Sequence, residues 1–119
     1  MTPPIVLLHG WGLSSAVWAP LQAQLDPQFT IIAPDLPGHG NAAPAGDTLA
    51  SWAQALLTHI PDGSMLVGWS LGAQLAMHLA VHAPQKIARL VLIAASPRFV
   101  QADNWPAALP EATLEEFRS

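Results

Sequence analysis

A chain of 119 residues, 51% hydrophobic and only 10% charged, has a mean hydropathy of +0.33, long enough to bury a core and too apolar to be disordered. The net charge is −4 and the four basic residues form no cluster, which argues against nucleic acid as a partner; the absence of cysteine excludes a disulfide framework and a thiolate metal site. The N-terminus has no basic run, and its apolar stretch 5–8 is far too short for a signal peptide or a membrane span, so a cytoplasmic protein without a membrane partner is expected.

Ile5-Val6-Leu7-Leu8 is short, continuous and apolar, the pattern of a buried strand. It ends in the glycine-punctuated turn His9-Gly10-Trp11-Gly12. Pro20 suits the first turn of a helix over 20–25, which Asp26-Pro27 stops. Residues 29–33 read as a second strand and 34–40 as a loop, P-D-L-P-G-H-G, that continues to Gly46. Asp47 or Thr48 can cap a helix that reaches Ile60, ahead of Pro61 and the turn Asp62-Gly63. A third strand is expected over 65–69. The helix predicted over 71–83 is apolar almost all round, which predicts burial in the middle of a domain, and Pro84 ends it. Leu90-Val91-Leu92-Ile93 forms a fourth strand within 87–95. The tail, 96–119, carries Trp105-Pro106, Pro110 and a predicted last helix from about Glu111.

Strands alternating with helices predict an α/β fold with a parallel sheet and helices on both faces. Three turns, 9–12, 35–40 and 68–72, all follow strand C-termini, the edge where open α/β sheets place their sites.

The third of these turns carries the chemistry. Gly68-Trp69-Ser70-Leu71-Gly72 lies between a short apolar run and a long apolar helix, the context a G-x-S-x-G nucleophile elbow requires. Such a turn lifts one side chain clear of the sheet through a strained backbone, and only very small residues fit two positions to either side. Ser70 is therefore the candidate nucleophile. The Leu71 N–H, at a helix N-terminus, is free to face a developing oxyanion. The Trp11 N–H in the first strand-to-helix turn is the candidate second donor, its indole lining a pocket. Asp35 is tempting as a triad acid but fits better as a turn carboxylate that accepts backbone N–H groups. Of the five histidines, His59 is expected to be solvated. His78 and His82 are four apart on a helix but have no carboxylate between them and point away from the site, so no metal is expected. His39 lies near the site edge without an obvious orienting partner. Asp103 reads as a surface or capping residue.

These motifs resemble the N-terminal part of an α/β-hydrolase. More narrowly, Leu7-Leu8-His9-Gly10-Trp11-Gly12-Leu13, Asp35-Leu36-Pro37-Gly38, Gly68-Trp69-Ser70-Leu71-Gly72 and Ala95-Ser96-Pro97, with Phe99, Trp105 and Pro106, are similar to the pimeloyl-[acyl-carrier protein] methyl ester carboxylesterases of biotin synthesis. The resemblance implies a serine carboxylesterase without a cofactor. Ser70 would be the nucleophile, Trp11 and Leu71 the oxyanion donors, and the substrate a small acyl ester carried on acyl carrier protein. Family members are much longer: their lid, later strands, triad Asp and triad His would fall after Ser119. Ala73 stands where a second glycine is frequent, and only Arg98 and Arg118 stand in for the basic lid residues.

The expectation is thus one partial α/β-hydrolase domain over 1–119, with core elements over 1–95 and the start of the lid over 96–119. The chain alone would be inactive. The alternatives are another enzyme on the same scaffold, such as a lyase, acyltransferase or thioesterase, and a non-catalytic fragment or binding module that pairs through its sheet edge.

Overall fold

The computed structural model of the chain describes residues 3–25 and 27–94. The expectations for 96–119, the lid start, the helix from Glu111 and the Ser96-Pro97 and Trp105-Pro106 segments, lie outside the described residues.

The elements alternate as expected: β1 (Ile5–Leu8), α1 (Ala19–Gln24), β2 (Ile31–Ile32), α2 (Leu49–Leu56), β3 (Ser64–Trp69), α3 (Leu71–His82) and β4 (Ile87–Ile93). The strands form one parallel sheet in the order β2-β1-β3-β4. β1 pairs with β3 from Ile5 opposite Met65 to Leu8 opposite Gly68, and β3 continues its pairing with β4 to Trp69 opposite Ile93. Strand order reverses between β1 and β3, since β2 lies on one side of β1 and β3 on the other. Open α/β sheets bind ligands outside the strand C-termini at such a reversal.

The pleat sorts the core into two layers, one on each face of the sheet. Val6, Leu8 and Leu66 pack with Ala53 and Leu56 of α2, with Ile60, and with Leu75, Ala76 and Leu79 of α3. Ile5, Leu7 and Val67 pack on the opposite face with Trp18, in the 3-10 turn Ser15–Trp18 ahead of α1. Helical segments therefore cover both faces at β1 and β3, as right-handed crossovers require, while Leu90, Val91, Leu92 and Ile93 of β4 stay exposed.

Several boundaries differ from the sequence reading. β2 is only two residues long, Ile31 and Ile32 pairing with Ile5 and Val6 of β1; Phe29 and Ala33 still pack against the Ile5 and Leu7 layer. Thr48, rather than Asp47, caps α2: its Oγ1 accepts the Ser51 N–H at 3.0 Å while the Ser51 hydroxyl accepts the Thr48 N–H, a reciprocal capping box. α2 ends at Leu56 and passes into the 3-10 turn Leu57–His59. The expectation that α3 is buried all round is corrected. It buries Gly72, Ala73, Leu75, Ala76 and Leu79 against the sheet and α2, but Val81 is 73% exposed on the outer side. No helix among the described residues is long and apolar enough to cross a membrane.

Candidate active site

β3 passes into α3 through Ser70, whose φ of 58° and ψ of −113° are unusual for any residue with a side chain. Two features hold it there. The Ser70 N–H donates to the Ile93 carbonyl of β4 at 3.0 Å, and its own carbonyl accepts the Ala73 and Gln74 N–H groups that start the helix. The hydroxyl makes no capping bond to α3.

The flanking glycines are required by close approach. A Cβ at Gly68 would collide with the Gly72 carbonyl and come within 2.7 Å of the Ala73 Cα. A Cβ at Gly72 would fall on the Leu8 carbonyl oxygen and lie 2.6 Å from that of His9. The start of α3 is thus pressed onto the end of β1, which brings the β1 loop to the serine. An added Cβ at Gly10 would stand 3.6 Å from the Ser70 Cβ and 3.6 Å from the Trp69 carbonyl, in ordinary contact.

The β1 loop closes through a Leu13 N–H bond to the Gly10 carbonyl at 3.3 Å, with Gly12 at a φ of 77° that disfavours a side chain. Trp11 projects outward, 44% exposed. Leu71 is the first residue of α3, so its N–H has no intrahelical acceptor. The three residues singled out from sequence, Ser70, Trp11 and Leu71, therefore lie on two adjoining turns at the same sheet edge.

Two histidines do something the sequence did not reveal. His9 is fully buried; its Nε2 accepts the Leu36 N–H at 2.9 Å, so the ring proton is on Nδ1, which donates to the Gly10 carbonyl at 2.7 Å. Burial pushes the His9 imidazole below the ordinary histidine pKa, and the bond to Gly10 opposes this in part. His39, read as lacking an orienting partner, has two. Its Nε2 accepts the Gly12 N–H at 3.0 Å, which leaves Nδ1 to donate to the Pro37 carbonyl at 3.0 Å. The rings lie 5.3 Å apart, and His39 also meets the edge of Trp52 at 5.7 Å. The sequence signal was a histidine beside glycine at each of two strand-ending turns.

Asp35 behaves as a turn carboxylate, but across two loops. It accepts the Ser15 N–H at 2.7 Å and the Asn41 N–H at 3.0 Å. These bonds, Ser15's first, hold its carboxyl below the usual aspartate pKa. Gly40 packs directly on this carboxylate, leaving no room for a Cβ. His59 is exposed, as expected, at the rim of a shallow hollow with Asp35 and Asn41. His78 and His82 stack at 4.2 Å on the far part of α3. Burial and the neighbouring His82 lower the pKa of His78. No group of three or more metal-ligating side chains occurs among the described residues.

The sequence profile of the alpha/beta hydrolase fold matches residues 3–118, so the chain belongs to the α/β-hydrolase family. Among curated proteins it is 45% identical over 120 residues to the pimeloyl-[acyl-carrier protein] methyl ester esterase of Aromatoleum aromaticum, with 97% of this chain and 48% of that protein covered. It is 44% identical over 115 residues to the protein of the same name from Chromobacterium violaceum, covering 95% of this chain and 45% of the relative. The chain spans about half the length of the curated relatives it matches. An esterase from Exiguobacterium antarcticum superposes with a TM-score of 0.81 at 24% identity, over 97% of this chain and 46% of that one. A hydrolase from Pseudomonas aeruginosa PA01 superposes at 0.77 with 29% identity, over 98% and 43%. The expected fold and the resemblance to these esterases both hold.

Proposed function

We propose that these residues are the nucleophile-bearing part of a cytoplasmic serine carboxylesterase that cleaves the methyl ester of a pimeloyl group carried on acyl carrier protein. One observation carries the reading: a serine at φ 58°, raised between two glycines that admit no Cβ, beside a glycine loop in contact with it. The names of the curated relatives supply the substrate class.

In this mechanism the Ser70 hydroxyl attacks the ester carbonyl and gives its proton to a histidine base. The Trp11 and Leu71 N–H groups receive the oxyanion, and methanol leaves with the base's proton. Water then cleaves the acyl-serine and restores the hydroxyl. None of the five histidines suits the base. His9 and His39 spend both ring nitrogens on the backbone, His59 sits by the Asp35 hollow, and His78 and His82 lie down α3. The base and its acid partner therefore come from outside these residues, with 96–119 beginning the lid. A second reading, a non-catalytic module, is favoured by the engagement of both ring nitrogens of His9 and His39 with the backbone.

The test is cleavage of pimeloyl methyl ester on acyl carrier protein, with and without the C-terminal portion of a related esterase supplied in trans or by fusion. Ser70-dependent turnover should appear only with that portion present. Turnover that survives Ser70→Ala would sink the assignment.

A further inference from the structure

Trp11 is bracketed by two peptide bonds, and an imidazole pins each of them. The Gly10–Trp11 peptide is held through its carbonyl, which accepts from His9 Nδ1 at 2.7 Å. In a trans peptide the C=O and the N–H point in opposite directions. Fixing the Gly10 carbonyl toward His9 therefore aims the Trp11 N–H to the other side. The Trp11–Gly12 peptide is held through its N–H, which donates to His39 Nε2 at 3.0 Å. His9 belongs to the β1 loop and reaches across to Leu36. His39 belongs to the β2 loop and reaches back to Gly12. The two loops are laced in both directions.

We propose that His39 is a positioning residue for the loop that carries the Trp11 oxyanion donor, acting with His9 as a two-histidine clasp that opens when His39 takes up a proton. The inference rests on the esterase reading above for its catalytic meaning. The chemistry follows from the donor inventory. A neutral ring with its proton on Nδ1 offers one acceptor, Nε2, and Gly12 uses it. A second proton on Nε2 turns that acceptor into a donor facing a donor, so the Gly12 bond is lost while the His9 and Leu13 bonds to the Gly10 carbonyl and the Asp35 bond to Ser15 remain. His9 is buried, which disfavours its charged form, so it keeps its grip under the same conditions. The titratable group facing His39 from β1 is His9; α2 presents Trp52, which does not titrate. Asp35, in the same loop, acts electrostatically on His9 and has both oxygens engaged with the Ser15 and Asn41 N–H groups.

The test separates the clasp from the reading it serves. In the isotope-labelled chain, the Gly12 amide should move in step with the His39 ring on acidification, while the Leu36 amide, bound to His9, stays in place. His39→Phe keeps a ring against Trp52 but offers no acceptor, and should release the Gly12 amide to solvent exchange. His39→Gln restores an acceptor oxygen that does not titrate, and should recover most of the protection and abolish its acid response. If His39→Phe does not fold, the acid titration and His39→Gln decide. In the catalytically competent protein, His39→Phe should lower kcat by about tenfold to a hundredfold with KM little changed, because a misaimed donor weakens only the transition state. His39→Gln should recover much of the loss and flatten the acid limb of the rate profile. A Gly12 amide indifferent to His39 ionisation, or full kcat in His39→Phe, would overturn the clasp alone. Absence of Ser70-dependent turnover in the parent would overturn the esterase reading, and with it the catalytic meaning of the clasp.

Discussion

Gly72→Ala is the sharpest probe of how the serine turn is built. The added methyl would fall on the Leu8 carbonyl oxygen and within 2.6 Å of the His9 carbonyl oxygen. Both obstacles are backbone atoms at the end of the central strand, so no side-chain rotation relieves the clash. Overpacking of this kind costs about 1–3 kcal/mol and occasionally more; immovable backbone puts this site at the upper end. Against it stands the helix propensity of alanine over glycine, worth up to about 1 kcal/mol at this second position of α3. The clash wins, and a net loss of about 2–3 kcal/mol is expected. With a urea slope of about 1.5 kcal/mol/M, the unfolding midpoint falls by roughly 1.3–2 M at unchanged slope. Gly63→Ala is the control. Its φ of 75° imposes conformational strain, but nothing lies within 4 Å of the new Cβ, so it should lose only about 1 kcal/mol. Equal midpoints for Gly72→Ala and the parent would refute the close approach of α3 to β1, and with it the reason Gly10 meets Ser70.

Ser70→Gly should abolish labelling by a fluorophosphonate in the competent protein yet raise stability by roughly 0.5–1 kcal/mol, since glycine relieves the positive φ at some entropic cost; a loss of stability would argue against strain at this turn. Gly10→Ala should leave the unfolding midpoint near that of the parent, because its new contacts are 3.5 Å or longer, while turnover falls as the methyl crowds Ser70; unaltered turnover would count against the loop's part in the site. Asp35 predicts a pH effect of definite sign. Its folded pKa is depressed, so its contribution is present above the unfolded aspartate pKa, about 3.9, and is lost as pH falls through the lower folded value. Urea midpoints of the parent should therefore decline in that acid window more steeply than those of Asp35→Asn, and parallel curves would contradict the role given to this carboxylate.

Much of this was legible because close packing constrains residue type more tightly than it constrains element length. Gly68 and Gly72 announced themselves, since no other residue fits where two backbones touch. β1 showed as an apolar run because a central parallel strand covered on both faces buries every position, as Ile5, Val6, Leu7 and Leu8 all are; the apolar run of β4 was equally legible although Leu90, Val91, Leu92 and Ile93 are exposed. β2 was overread because apolar Phe29 and Ala33 pack beneath the sheet without joining its ladder, and periodicity does not separate burial from pairing. α3 was overread for a related reason. Its alanines and Val81 are apolar whichever way they point, and the sequence carries no sign that Val81 faces outward. The histidines were least legible. Their roles depend on which ring nitrogen meets which backbone group from a loop 27 positions away.

The strain at Ser70 and the engagement of His9 and His39 belong to one design. A residue at φ 58° persists only where its surroundings leave no alternative, at a cost on the order of 1–3 kcal/mol. Here the surroundings are β4, through the Ser70 bond to Ile93, and β1, through the contact of Gly72 with Leu8 and His9. β1 is held in turn by the lacing of its loop to that of β2. Each turn at this edge is thus held by bonds or contacts that reach across from a neighbouring strand or loop as well as by its own glycines. A histidine delivered from elsewhere would meet a site already shaped, and would add proton transfer without reorganising the backbone. Loosening the lacing should therefore impair oxyanion stabilisation while leaving Ser70 in its turn, since the bonds that hold the serine run to β4 and to the β1 backbone, not to His39.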